Sequence, residues 1–316
     1  MAGVTIGLQR QEMLSYTLQY DPQGRLRSRS IKNHEGRPSE ETFSYRTSGE
    51  LVKVWGPDNF EYDYDLNGNL IRTFGSQGEV VYTNKGDRVQ RVASKVSDFK
   101  VTYDPISGCV ASIISKDSKT GRKFWHDARG KLVQMAVSGK NSDAGSRTSY
   151  QYDHLQRLVA SIEVANGGRG QKIVTQYFYS DIRFPNRVTH VQSPRSGLTQ
   201  RLLYDEQGHL VALETKDQKL YVAADHVGSP LLIFRPDGTV DKAVKYSAYG
   251  LVLSDSSPIM TLPVGYRGGL NIGSGLVMID QRVYDVLSHQ WLNPDWERLQ
   301  NELNHPNDLY VYRYFL

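Results

Sequence analysis

Short runs in which apolar and polar residues alternate with period two dominate this chain. Val101 and Tyr103 share one face while Lys100 and Thr102 take the other, and Tyr150 and Tyr152 flank Gln151 in the same way. Such alternation predicts half-buried β-strands. Each run stops at a tight-turn sequence, and the stop recurs. Clear copies are Tyr20-Asp21-Pro22-Gln23-Gly24-Arg25-Leu26, Tyr64-Asp65-Leu66-Asn67-Gly68-Asn69-Leu70 and Tyr204-Asp205-Glu206-Gln207-Gly208-His209-Leu210. Degenerate copies start at Tyr45, His126 and Tyr152-Asp153, and two with an extra residue start at Tyr82 and at Tyr103-Asp104. From aromatic to aromatic the steps are 25, 19, 18, 21, 23 and 26 residues. A period of this length predicts an array of supersecondary units.

The turn chemistry names the unit. Asp at the first position and Gly at the fourth suit a type I turn, with the Asp side chain accepting from the backbone two residues on and Gly supplying a positive φ. A glycine bulge after such a turn joins hairpin strands. Each repeat therefore reads as one β-hairpin with a buried Tyr and a buried Leu or Val beside its turn, and Gly24, Gly68 and Gly208 are expected at φ > 0. The fold class is all-β: repeated hairpins over residues 1–220, then a segment of different motif content over 221–316. Helix is expected only near 295–303, where Asp295 would cap Trp296 to Leu303.

Composition adds exclusions. With 38 basic and 34 acidic residues the net charge is +4, evenly spread, which argues against a nucleic-acid partner. The longest apolar stretch, Pro230 to Phe234, is far too short to span a membrane as a helix. Cys109 is alone, so no intrachain disulfide forms, and its place beside the turn Gly108 suits a strand residue. No signal-peptide pattern opens the chain, and taken alone these features read as cytosolic. Asp63 to Gly68 matches half of a calcium loop, but Phe74 stands where a bidentate Glu belongs. The eight His residues lack zinc spacing, and Gly167 to Gly170 lacks the ending of a phosphate loop. The expectation is no cofactor, no metal and no catalytic residue.

The ordered motifs after residue 220 resemble those of the Rhs/YD-repeat superfamily. Asp225-His226-Val227-Gly228-Ser229-Pro230 is similar to its D-x-x-G-[ST]-P element, and Tyr246-Ser247-Ala248-Tyr249-Gly250 to its Y-x-x-[YF]-G element. Gly268-Gly269-Leu270, then Arg282-Val283-Tyr284-Asp285 through Trp291 and Asp295, follow the order of the Rhs-associated core. Gly268 to Leu270 and the ending Asn307 to Arg313 most resemble teneurins. One departure is plain: Tyr284 to Trp291 lacks the Pro and the Gly-Arg pair of Y-D-P-x-x-G-R-[FW]. In bacterial relatives this region resembles an aspartyl autocleavage site, for which Asp280, Asp285, Asp295 and Asp308 are the candidates here, without a clear carboxylate pair.

The resemblance implies a hollow spiral shell of hairpins with a core segment at 221–316. It also implies a non-enzymatic module of a teneurin-like, single-pass cell-adhesion and signalling receptor on the extracellular face of the plasma membrane, active in neuronal development. Implied partners are a latrophilin-type receptor or another teneurin, together with the rest of the chain's own shell, with no insertion of this segment into the membrane. The alternative is the shell of a secreted Rhs-type polymorphic toxin enclosing a C-terminal cargo. Nine or so hairpins make too little sheet to close, so an unpaired edge is expected near Gln19 and Tyr20, with self-association through it.

Overall fold

Alternation along the chain becomes hydrogen bonding between neighbours in a computed structural model of the protein. The structure describes residues 2–8, 11–139, 145–165, 169–194 and 198–295. Among these residues twenty-three strands, from Ala2–Leu8 to Val252–Asp255, form one sheet in which every pairing is antiparallel and joins strands consecutive in sequence. Four further strands, Leu270–Gly273, Leu276–Ile279, Arg282–Asp285 and Gln290–Trp291, make a second antiparallel sheet. The expected helix and Asp308 lie outside the described residues.

A twisted meander of this length curls, because each strand rotates relative to the last. The inward-facing positions become the core. Val101, Ile113, Phe124, Met135, Tyr150 and Leu158 from successive strands pack with Leu270, Leu276 and Val283 of the second sheet. The curl also brings the ribbon's beginning to its end. Met13, Leu14, Tyr16 and Leu18 pack on Ala223, Leu232 and Phe234, and Arg29 reaches Asp225 at 3.7 Å while Lys245 reaches Asp58 at 2.5 Å. Among the described residues this seam is made by side chains, with no ladder between first and last strands.

Two expectations about the start of the chain are corrected here. Gln19 and Tyr20 do not mark an edge strand, although the pairing with Ala2–Leu8 stops at Leu18. They end the strand Gln11–Tyr20, which pairs Ala2–Leu8 on one side and Leu26–Asn33 on the other. The run Met13, Leu14, Tyr16, Leu18 supplies a buried face without any repeat turn before it, so the turn signature alone missed the extra hairpin. Tyr20 itself is 46% exposed, unlike Tyr64 at 7%. On the side of Ala2–Leu8 the ladder stops at Leu18, so no described residue stands opposite Tyr20 there.

Candidate functional site

The turns follow one pattern along one rim. At the first, the Gly24 amide donates to the Asp21 carbonyl at 3.0 Å, and Asp21 Oδ1 accepts the amides of Gln23 and Arg25. The register then slips by one residue so that Tyr20 opposes Leu26. Asp65, Asp153 and Asp205 hold their turns in the same way. Asp104 does so with one residue more, and the Ser107 amide, then its hydroxyl, holds the Asp104 carboxyl below the usual range. Gly24, Gly68 and Gly208 have φ of 79°, 77° and 89°, as the turn type requires. Gln156 takes the glycine position in its repeat at φ 65°.

The motifs after residue 220 are built likewise. Asp225 accepts the amides of Val227 and Ser229, Gly228 donates to the Asp225 carbonyl, and Pro230 opposes Ala224 across the slip. Gly250 closes the turn from Ser247 at φ 85°, where a side chain would strike the Tyr266 ring at 2.6 Å. Gly268 closes the turn from Gly265 at φ 69°, and Gly269 donates to the Tyr266 carbonyl.

Tyr and the residue after the turn glycine clasp neighbouring hairpins in opposite directions. Six repeat Tyr hydroxyls donate to the carbonyl just past the previous turn: Tyr45 to Leu26, Tyr64 to Leu51, Tyr103 to Val89, Tyr152 to Leu132, Tyr179 to Leu158 and Tyr204 to Val188, at 2.7–3.0 Å. The post-glycine residue reaches forward instead. Arg25 donates to the Arg46 carbonyl, Asn69 to that of Gly86, and Arg157 to that of Pro185. Arg25 and Arg157 also lie over the next Tyr ring, at 4.8 and 4.5 Å. This forward half went unread because the position varies between Arg, Asn and His.

One repeat departs from the sequence reading. Asn84, not Tyr82, makes the backward clasp, donating to the Leu70 carbonyl at 2.9 Å. The short turn at Gly86 and Asp87 moves the slip to Asn84, and Tyr82 points inward instead. Tyr152→Phe should cost about 1–2 kcal/mol, because the largely buried Leu132 carbonyl loses its donor. A lowered urea midpoint with unchanged slope would register it; an unchanged midpoint would refute the clasp.

The second sheet docks on the concave face through polar anchors from several strands. Tyr82 bonds His289 Nδ1 at 2.7 Å and the Val110 amide donates to the Leu292 carbonyl at 2.7 Å, while Tyr64 bonds the hydroxyl of Tyr249, in the first sheet's own turn at 247–250, at 2.6 Å. Lys131 Nζ donates to Gln281 Oε1 at 2.8 Å, and Tyr150 donates to the Ile272 carbonyl at 3.1 Å. Arg122 grips Asp285 with both nitrogens, at 2.8 and 2.7 Å. Asp285 is fully buried and also accepts from the Ser288 hydroxyl and the Leu287 amide. Tyr284 donates to the Tyr249 carbonyl and meets the Trp291 ring edge-on at 5.2 Å. Arg282 lies 4.2 Å over Trp291 and pairs with Asp295 at 3.1 Å.

The departure from the family motif has a local consequence. His289 sits at φ 55° and is buried between Tyr82 and Tyr249, where burial pushes its imidazole down to about 4 against the opposing charge of Asp285. As chemistry, the arrangement is an anchor. Asp285 and Asp295 are held by different guanidinium groups, Arg122 and Arg282, so they do not share a proton as an aspartyl dyad must. Cys109 is buried, which pushes its thiol up, away from nucleophilic use.

Hairpins clasped in both directions along a rim, and braced from within by a second sheet, are the construction of a YD-repeat shell. Residues 2–315 match the family model for the teneurin YD-shell. The chain is 33% identical over 315 residues to Teneurin-m of Drosophila melanogaster, covering 98% of this chain and 11% of that protein. It is 31% identical over 312 residues to Teneurin-3 of Mus musculus, with 96% and 11% covered. The chain belongs to the teneurin YD-shell family, and it spans about a tenth of the length of these relatives. A crystal structure of TcdB2-TccC3 shares the fold, with a TM-score of 0.61 and 15% identity over 96% of this chain and 18% of that one.

Proposed function

We propose that this chain is a non-enzymatic structural and interaction module, part of the extracellular shell of a teneurin-like transmembrane receptor for cell adhesion and signalling. It serves cell–cell recognition in neuronal development, with a latrophilin-type receptor or another teneurin as its partner. The observation that carries this reading is the family match over residues 2–315. The commitment of Asp285 to Arg122 supports it, since this candidate carboxylate is spent on holding the second sheet.

The test uses the full-length protein that carries this chain, expressed on suspended cells. Antibody against the segment should label unpermeabilised cells, and the cells should aggregate with others displaying a latrophilin-type receptor or the same protein. Labelling that needs permeabilisation, or aggregation that is unchanged when this segment is deleted, would sink the proposal.

A further inference from the structure

Charge that is even along the sequence is uneven across the first sheet. On its convex face Lys53 meets Glu61 at 3.0 Å, Arg72 meets Asp63 at 2.6 Å, Arg91 meets Asp98 at 2.7 Å and Arg201 meets Glu214 at 3.5 Å. The five strands Gly121–His126, Leu132–Ser138, Ser146–Tyr152, Leu158–Val164 and Lys172–Phe178 break this pattern. Their one carboxylate, Glu163, stands opposite Thr148, which shares the inner face with the buried Tyr150. On the outer face Lys123 opposes Ala136, Ala136 opposes Arg147, Arg147 opposes Val164 and Val164 opposes Lys172. Lys123, Arg147 and Lys172 are exposed, and among the described residues none of the three is in an ion pair. With strands about 4.8 Å apart, the row sets its cations at intervals of about 10 Å. A parallel row two residues along holds Trp125, Gln134, Ser149, Ile162 and Val174. Trp125 is 41% exposed and Val174 39%.

A row of cations without carboxylates, beside an exposed apolar row, selects both the sign and the surface of a partner. We propose that this stripe docks a partner protein through an acidic amphipathic helix lying across the strands, its carboxylates on Lys123, Arg147 and Lys172 and its apolar side chains on Trp125, Ile162 and Val174. In such a helix residues seven apart share a face and are separated by about 10.5 Å, close to the interval of the cations. The second row lies about 7 Å to the side, within the roughly 10–12 Å width of a helix. A sulfated polysaccharide meets the cations but leaves Trp125 and Val174 uncovered, so the apolar row favours a protein. The stripe follows from register and charge and is independent of any role in cell adhesion.

The experiment is fluorescence anisotropy of the whole chain with a labelled helical peptide whose glutamates recur every seven residues beside a stripe of leucines. Saturable one-to-one binding is expected, weaker by about tenfold or more when Gln replaces each Glu, and by about fivefold or more when Ser replaces each Leu. Lys123→Glu, Arg147→Glu and Lys172→Glu together should weaken it by about a hundredfold, and Arg147→Glu alone, should the triple variant not fold, by about tenfold. Trp125→Ser should weaken it by about fivefold. Lys53→Glu, Arg72→Glu and Arg201→Glu together change the net charge as much on the matched part of the same face, and should leave the affinity within about threefold. Equal loss in the two triple variants, full binding by the folded Arg147 variant, or equal binding of the Gln peptide would overturn the proposal. Tight binding of a heparin oligosaccharide to the row, with Trp125→Ser leaving the peptide's affinity unchanged, would assign the row to a glycan and overturn it as well.

Discussion

Asp285→Asn is expected to destabilise the protein by about 3–5 kcal/mol, the usual result of breaking a buried ion pair from one side. Asp285 has no exposed surface and Arg122 is 12% exposed, so water cannot replace the lost partner at either end. The amide would also present a donor where Arg122 already donates, and the Ser288 hydroxyl would lose its charged acceptor. The double change Arg122→Leu with Asp285→Leu separates charge from packing. If Arg122→Leu and Asp285→Leu each cost several kcal/mol alone while the double change costs far less than their sum, the loss lies in the stranded charge. A single change that leaves the urea midpoint in place would show that the second sheet docks without this pair.

Acidification should weaken the fold between about pH 6.5 and 4. The native His289 binds its proton only near 4, whereas an unfolded histidine does so near 6.5. As pH falls through that window the unfolded chain gains a proton that the native protein refuses, so stability drops and then levels off below about 4. With 1.36 kcal/mol for each tenfold difference in proton affinity, His289 alone accounts for about 3 kcal/mol. His126 is depressed to about 4 by burial as well, against the charges of Asp127 and Asp104, and acts in the same window. His289→Asn keeps a residue tolerant of left-handed backbone and removes the titration. Urea midpoints measured from pH 7 to 4 should therefore fall less steeply in the variant; parallel curves would refute the assignment.

What could be read from the residues was local chemistry. Asp21, Pro22 and Gly24 specify a turn within five residues, so the all-β fold, the hairpins and the positive φ at Gly24, Gly68 and Gly208 were legible. Tyr82 misled because it stands near a turn, while the slip that defines the clasp position depends on turn length and falls at Asn84. The first hairpin escaped notice because its strands carry the alternation without the signature. Docking was illegible for a different reason. Arg122 and Asp285 are 163 residues apart, and nothing in either neighbourhood encodes the other. Only the curl of the sheet brings them together.

A meander in which each strand bonds only to its chain neighbours is mechanically a zipper. Tension at either end of the ribbon loads one ladder at a time, and ladders loaded singly peel at low force. The second sheet changes that geometry. Its anchors sit on Tyr82, Val110, Arg122, Lys131 and Tyr150, each on a different strand or turn. A pull on the second sheet is therefore shared in parallel across the middle of the ribbon, as rivets share load across overlapped plates. In a molecule that works under tension, the hairpins between Tyr82 and Tyr150 would be the last to part.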